Sequence, residues 1–341
     1  MKTQLIHINT DAPQQNLVDL AGELLASGAL VAIPTETVYG LAANALDAQA
    51  VCAIFTAKGR PQDNPLIVHI ADTDDLVPLV SNISPMAEQL ADTFWPGPLT
   101  MILPRAKTVP AVVSAGLDTV AVRMPSHPIA RAIIRSAGVP LAAPSANRSG
   151  SPSPTSAAHV MQDMDGIIPL VVDGGSCGVG VESTVISLVS DIPVILRPGA
   201  VTKEQLERVI GAVRVDSGVL SRVSDEVNAS SPGMKYKHYA PRAKVYMVEG
   251  DSASYCNYVN SIPNAFALCF EEDNERLATD YVNYGTQDDP SSQAKHLFDA
   301  LRELDRRGAN TVYARAPKKD GVGLAVYNRL LRAASFDVIK L

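Results

Sequence analysis

Cysteine is scarce and scattered in this 341-residue chain. Cys52, Cys177, Cys256 and Cys269 form no C-x-x-C pair and have no histidine at ligand spacing. That excludes a disulfide framework and signals no zinc centre or other protein-held metal, leaving small buried thiols. Long apolar runs are missing too. None could cross a bilayer, and the start, M-K-T-Q-L-I-H-I-N-T-D, lacks the uninterrupted apolar core of a secretory signal, so a cytoplasmic protein without membrane contact is expected. Positive charge is rare in the first part. Residues 1–201 hold 10 Lys and Arg against 17 Asp and Glu, whereas residues 202–341 hold 19 of each, so the formal charge of -7 falls entirely on the first part. Such a surface does not draw the nucleic-acid backbone non-specifically, and any contact with RNA is expected to be local and weak. Four of those 10 cations, Lys58, Arg60, Arg123 and Arg197, fall in motif-like stretches.

What is present is enough apolar residue, 46% of the chain, for a sizeable core, at a length that favours two domains. Residues 14–27 carry a helical stripe of Leu17, Leu20, Ala21, Leu24 and Leu25 ended by Gly28. Strands and short helices then alternate. A-L-V-A-I-P leads into P-T-E-T-V-Y-G-L, a helix near 48–57 into a turn from Lys58, and that turn into a strand over 66–70. Further strands are predicted at L-T-M-I-L-P, T-V-A-V-R, V-P-L-A-A-P, I-P-L-V-V-D, S-T-V-I-S-L and P-V-I-L-R, giving a mixed parallel and antiparallel sheet. Composition changes at 202–241, a turn-rich basic and aromatic linker. From 242 a second α/β pattern, A-K-V-Y-M-V, A-F-A-L-C-F, T-V-Y-A-R-A and F-D-V-I-K-L with amphipathic helices between, predicts a smaller doubly wound domain without G-x-G-x-x-G or P-loop.

The stretch K-G-R-P-Q-D-N-P-L-I-V-H organises the rest. Pro61 and Pro65 stiffen the backbone after Lys58 and Arg60. A lysine and a forked arginine one glycine apart, with Asn64 close by, suit a polyphosphate better than a lone anion. His69, inside an apolar run, is either a satisfied core histidine or the next polar group of the same site. Ser145 and Asn147 either end a strand or orient a ligand, and A-P-S-A-N is not a G-x-S-x-G elbow. Glu182, Ser183 and Thr184 follow a Gly-rich turn, and Arg197 ends a strand. Polar or cationic groups near 35, 58, 100, 123, 145 and 183 are expected to rim one cleft, whose chemistry would be positioning and charge stabilisation.

In this order P-T-E-T-V-Y-G-L, K-G-R-P-x-x-N-P-L, W-P-G-P-x-T, V-x-V-R-x-P, A-P-S-A-N-x-S-G, E-S-T-V and R-P-G resemble the YrdC-like domain. With S-P-G-M-K-Y-K-H-Y-A-P and the second α/β segment, essentially the whole chain resembles the two-domain threonylcarbamoyl-AMP synthases. The resemblance implies a YrdC-like catalytic domain over 1–201, a linker or lid over 202–241 and a Rossmann-like accessory domain over 242–341. It implies a nucleotidyltransferase that makes L-threonylcarbamoyladenylate and pyrophosphate from L-threonine, bicarbonate and ATP, for the threonylcarbamoyladenosine of tRNA. Mg²⁺ would arrive with ATP, no organic prosthetic group is needed, and a tRNA threonylcarbamoyl-transferase machinery would take the product. Lys58 and Arg60 would be catalytic. With Asn64, Thr119, Ser145, Ser153, Arg197, Tyr236 and His238 they would hold ATP, and Thr37, His69, Arg123, the Ala143 backbone and Ser183 would surround threonine. Around Tyr236 and His238 the linker is either a closing lid or a passive tether. An RNA-binding module of the same fold without catalysis is the alternative.

Overall fold

The structure is a computed structural model and describes residues 2–221 and 239–341. Its first part runs β1 (Gln4–His7), α1 (Gln15–Ala26), β2 (Val31–Ile33), β3 (Gly40–Asn44), α2 (Ala48–Lys58), β4 (Ile67–His69), α3 (Pro85–Phe94), β5 (Leu99–Pro104), β6 (Thr119–Arg123) and α4 (Pro128–Ala137). It continues with β7 (Leu141–Ala142), α5 (Ala157–Met164), β8 (Leu170–Asp173), β9 (Thr184–Ser187), β10 (Val194–Arg197), α6 (Lys203–Ile210) and β11 (Arg214–Val215). These strands form one eleven-stranded sheet in the order β1-β8-β2-β3-β7-β4-β6-β5-β9-β10-β11. Pairing is mixed, as the sequence predicts. The register sets β4 and β6 parallel with His69 opposite Arg123, and β5 and β9 parallel with Leu99 opposite Thr184. Polar strand ends from distant parts of the chain are thereby brought to one edge.

Two of the expected boundaries differ in detail. Lys58, read as the start of a turn, is the last residue of α2. The Asp47 carboxylate caps this helix by accepting the N–H groups of Gln49 and Ala50, and Gly59 ends it at φ 61°, a left-handed conformation that favours glycine. Lys58 is therefore aimed by the last helical turn and only Arg60 belongs to the turn proper. Beyond residue 201, α6 buries Leu206 in the core of the first sheet and β11 pairs with β10.

The second part runs β12 (Lys244–Glu249), α7 (Ser252–Asn260), β13 (Phe266–Cys269), β14 (Asp280–Asn283), α8 (Pro290–Arg306), β15 (Thr311–Arg315), α9 (Gly321–Ala333) and β16 (Val338–Lys340). Its sheet is parallel throughout, in the order β14-β13-β15-β12-β16. Alternation along β12 explains why helices cover both faces: Val245 and Met247 enter a core with Leu297, Phe298 and Leu301 of α8, whereas Val248 packs with Tyr255 and Val259 of α7. The core on the α8 side also takes in Val38 and Val181 of the first part, so the two sheets share buried apolar surface. Among the described residues no helix is long and apolar enough to cross a membrane.

Candidate active site

Behind the E-T that follows β2, Arg123 is held at the end of β6. Its Nη1 donates to Thr37 Oγ1 at 2.9 Å, its Nε donates to the Gly97 carbonyl at 3.2 Å, and Nη2 pairs with Glu36 Oε1 at 2.6 Å. Burial pushes the Glu36 carboxyl up, but the charge and hydrogen bonding of Arg123 outweigh it and hold the group below its ordinary range. His69, beside Arg123 in the sheet, has Nδ1 3.1 Å from the Ile67 carbonyl. Burial, then the Arg123 charge, depress its pKa to about 3, so it faces the site as a neutral imidazole.

The other half of the site is built on α2 and on the loop after β7. Lys58 Nζ donates to the carbonyls of Ser145 and Asn147, both at 2.5 Å, and stands 3.5 Å from Asn147 Oδ1. Ser145 Oγ donates to Asn147 Oδ1 at 2.6 Å, while Asn147 Nδ2 donates to the carbonyls of Arg148 and Ser151 at 2.8 Å. The A-P-S-A-N-R-S turn is thus wrapped around the Lys58 Nζ. Burial, and next the charge of Arg60, push the Lys58 pKa well below its usual range. An arriving polyanion would reverse that shift. Arg197 is buried, its pKa lowered by that burial. Its Nε donates to the Ser183 carbonyl at 3.0 Å and its Nη2 to Ser183 Oγ at 3.1 Å; Ser183 Oγ in turn lies 2.8 Å from Thr100 Oγ1.

Thr37, Lys58, Arg60, His69, Arg123, Ala143, Ser145, Ser183 and Arg197 line one hollow. Ser153 is fully buried in the wall behind it, where its hydroxyl donates to Glu182 Oε1. Asn64 is fully buried too, but outside the lining, with both amide atoms unpartnered. The structure does not bring Thr119 to the hollow: it begins β6 opposite Pro104, four residues from Arg123 and at the other end of the strand. Tyr236 and His238 lie outside the described residues. Thr100 rims the cleft only from behind, through Ser183. Thr35 lines the hollow, as expected of a group near 35. Sequence reasoning gave no role to Glu36, Tyr239 or Arg329: Glu36 pairs with Arg123, Tyr239 lines the hollow, and Arg329 of α9 reaches its wall at Glu182. Glu36 and Tyr239 stand inside quoted motifs and could have been found there; nothing local marks Arg329.

Lysine, arginines, hydroxyls and amides line the half of the hollow built on α2 and the loop after β7, so its donor set suits an anion and does not suit a protein-ligated Mg²⁺. Among the described residues no group of three or more His, Cys, Asp or Glu could hold a metal. Magnesium accompanying a nucleotide would keep phosphate oxygens as its ligands.

Comparison with known proteins agrees with the motif order. The Sua5, YciO and YrdC family, described as telomere recombination, matches residues 23–199, and the family described as threonylcarbamoyl-AMP synthase, C-terminal domain, matches residues 201–335. Threonylcarbamoyl-AMP synthase of Pyrococcus abyssi is 47% identical over 95% of this chain and 96% of its own length. The enzyme of that name from Bacillus subtilis is also 47% identical, over 98% of this chain and 96% of its own. A crystal structure of P. abyssi Sua5 in complex with L-threonine superposes with a TM-score of 0.92 at 43% identity, covering 99% of this chain and 100% of that one. Both sheets, the ordered motifs and these end-to-end matches agree, and the chain belongs to the threonylcarbamoyl-AMP synthase family.

Proposed function

We propose that the hollow joins L-threonine, bicarbonate and ATP into L-threonylcarbamoyladenylate, releasing pyrophosphate and water. The observation that carries this reading is the division of one hollow into two differently built halves. Lys58, Arg60 and Arg197 gather rare positive charge on one side, and Arg123, neutralised by Glu36 and bonded to Thr37, offers a fork to a small carboxylate on the other. Such a pair of subsites brings an amino acid beside a triphosphate.

Threonine would place its carboxylate at Arg123, against Thr37, neutral His69, Ser183 and the Ala143 backbone. Its uncharged amine attacks the carbon of carbon dioxide, losing a proton from nitrogen, or that of bicarbonate, whose C–OH bond breaks so that hydroxide leaves with that proton as water, and a carbamate forms. A carbamate oxygen then attacks the α-phosphorus in line with the departing pyrophosphate. Lys58 and Arg60 would absorb the charge that builds on the leaving group, with Arg197 and Ser145 fixing the nucleotide, so no covalent enzyme intermediate is required. Asn64 and Ser153 would support that side. Assignment of Thr119, Tyr236 and His238 to ATP rests on the family resemblance alone. In this reading residues 1–201, extended by α6 and β11 of the same sheet, form the catalytic unit, the rest up to 241 is the linker, and 242–341 an accessory domain. Magnesium would enter with ATP, and the labile product would pass to a tRNA-modifying transferase.

The test is an omission assay. Pyrophosphate release from ATP is expected only when L-threonine and bicarbonate are both supplied, with an acid-labile adenylate formed in equal amount. Release that ignores either co-substrate would overturn the reading.

A further inference from the structure

The rear wall of the hollow is where the E-S-T turn, with Glu182 and Ser183, meets the R-P-G turn, with Arg197. From inside the first sheet Arg197 ties them together through Ser183. From outside, a residue of the second part reaches the same two turns. Arg329 on α9 donates Nε to Glu182 Oε2 at 3.0 Å, Nη2 to the Glu182 carbonyl at 3.2 Å and Nη1 to the Pro198 carbonyl at 2.5 Å, with Asn328 Oδ1 3.3 Å away. Its relative exposure is 0%. The other oxygen of Glu182 accepts the Ser153 hydroxyl, so one chain of charge-assisted bonds runs from α9 to the nucleotide side of the hollow.

Two further contacts show that this is a built junction. Val181, next to Glu182, belongs to the core formed by α8 and α9. On the same helix as Arg329, Asn328 Nδ2 donates to the Val219 carbonyl at 2.7 Å and Arg332 Nη2 to the Gly218 carbonyl at 3.0 Å. Helix α9 therefore grips both the wall of the site and the chain that leaves the first part.

We propose that Arg329 is a positioning residue for the nucleotide half of the site, acting through Glu182, and that the second part of the chain is thereby required for normal ATP binding. The proposal rests on the functional reading above. A buried carboxylate deprived of its guanidinium partner takes up a proton or draws another cation to it. Arg197 is the cation in place, since it lines the same hollow as Glu182 and is bonded to the adjoining Ser183, and turning toward Glu182 would take it from Ser183 and from the phosphates. The threonine half has its own closed set of bonds among Arg123, Glu36, Thr37 and Gly97, and none passes through Arg329.

The experiment measures KM for ATP and for L-threonine, with kcat, on the full-length wild type and Arg329→Met, after melting curves have shown that the variant is folded. The expected result is an ATP KM raised by about tenfold or more, with the threonine KM within about twofold of wild type and Arg329→Lys between the two. A purely structural residue would lower kcat with the folded fraction and leave both KM values alone. That outcome, or both KM values rising together, overturns the proposal. If Arg329→Met does not fold, Arg329→Lys, which keeps the charge and loses the fork, is read instead: an ATP KM raised by about threefold or more with an unchanged threonine KM supports the proposal, and no shift, or both KM values rising together, overturns it. The wild type in the same assay separates the two claims: no threonine-dependent pyrophosphate from it refutes the function, whereas normal wild type with an unshifted ATP KM in the variant refutes only the positioning role.

Discussion

Lys58 keeps its Nζ against two backbone carbonyls and out of water. Burial and then Arg60 disfavour the charged form. Phosphates would favour it, so ATP binding is expected to take up a proton, and to weaken as pH rises and the uptake becomes costlier. Calorimetry of ATP binding in buffers of different ionisation heat should show net uptake in the wild type and its loss in Lys58→Met; proton release in the wild type would contradict the assignment. Lys58→Ala and Arg60→Ala should each lower turnover by about 10²–10³-fold while the protein stays folded, the usual cost of removing one stabiliser of developing charge. Near-normal pyrophosphate release from either would show that the phosphates sit elsewhere. Both residues were legible in the sequence because cations are so few in residues 1–201 that their position stands out. The Glu36 partner of Arg123 is two residues into a motif already in view. Arg329 was not legible: it lies 147 residues from Glu182, and an arginine among the apolar residues of an amphipathic helix reads locally as solvent-facing.

Elements show the same division. Strands with branched apolar runs, such as L-T-M-I-L-P and T-V-A-V-R, were evident from the sequence, as were the stripes of α1 and α8. Strand β3, G-L-A-A-N, lacks bulky side chains and hides its period, yet it pairs with both β2 and β7 and carries the P-T-E-T turn into the sheet. The loop before β9 looked like a generic Gly-rich turn. It is instead fixed from two sides. Val179 and Gly180 donate their N–H groups to the carbonyls of Glu36 and Thr37 at 2.8 and 3.2 Å, and Gly180, at φ 84°, lies against α8. A Cβ there would come within 2.4 Å of Lys295 Cα and 2.5 Å of the Ala294 carbonyl oxygen. Gly180→Ala should therefore destabilise the protein by about 2–4 kcal/mol, from backbone strain plus overpacking against another backbone. Denaturant unfolding would show it, and an unchanged midpoint would mean that the contact between α8 and this loop does not persist in solution.

For the whole molecule, the acidic first part and the neutral second part are joined through a shared core and through α9. In the proposed reading that arrangement would let a sheet with an excess of negative charge hold a triphosphate: four of its rare cations stand at one edge, on α2, the turn after it, β6 and β10, and the second part reaches the wall behind them. The measurement that tests this most directly is a crystal structure of the chain with L-threonine and a non-hydrolysable ATP analogue. The polyphosphate should lie within hydrogen-bonding distance of Lys58 and Arg60 and beside Arg197, with the threonine carboxylate on Arg123. Nucleotide found instead in the polar cleft between α5 and α8, lined by His159, Asp163, Asp299 and Arg302, with Lys58 still bound only to Ser145 and Asn147, would contradict the account.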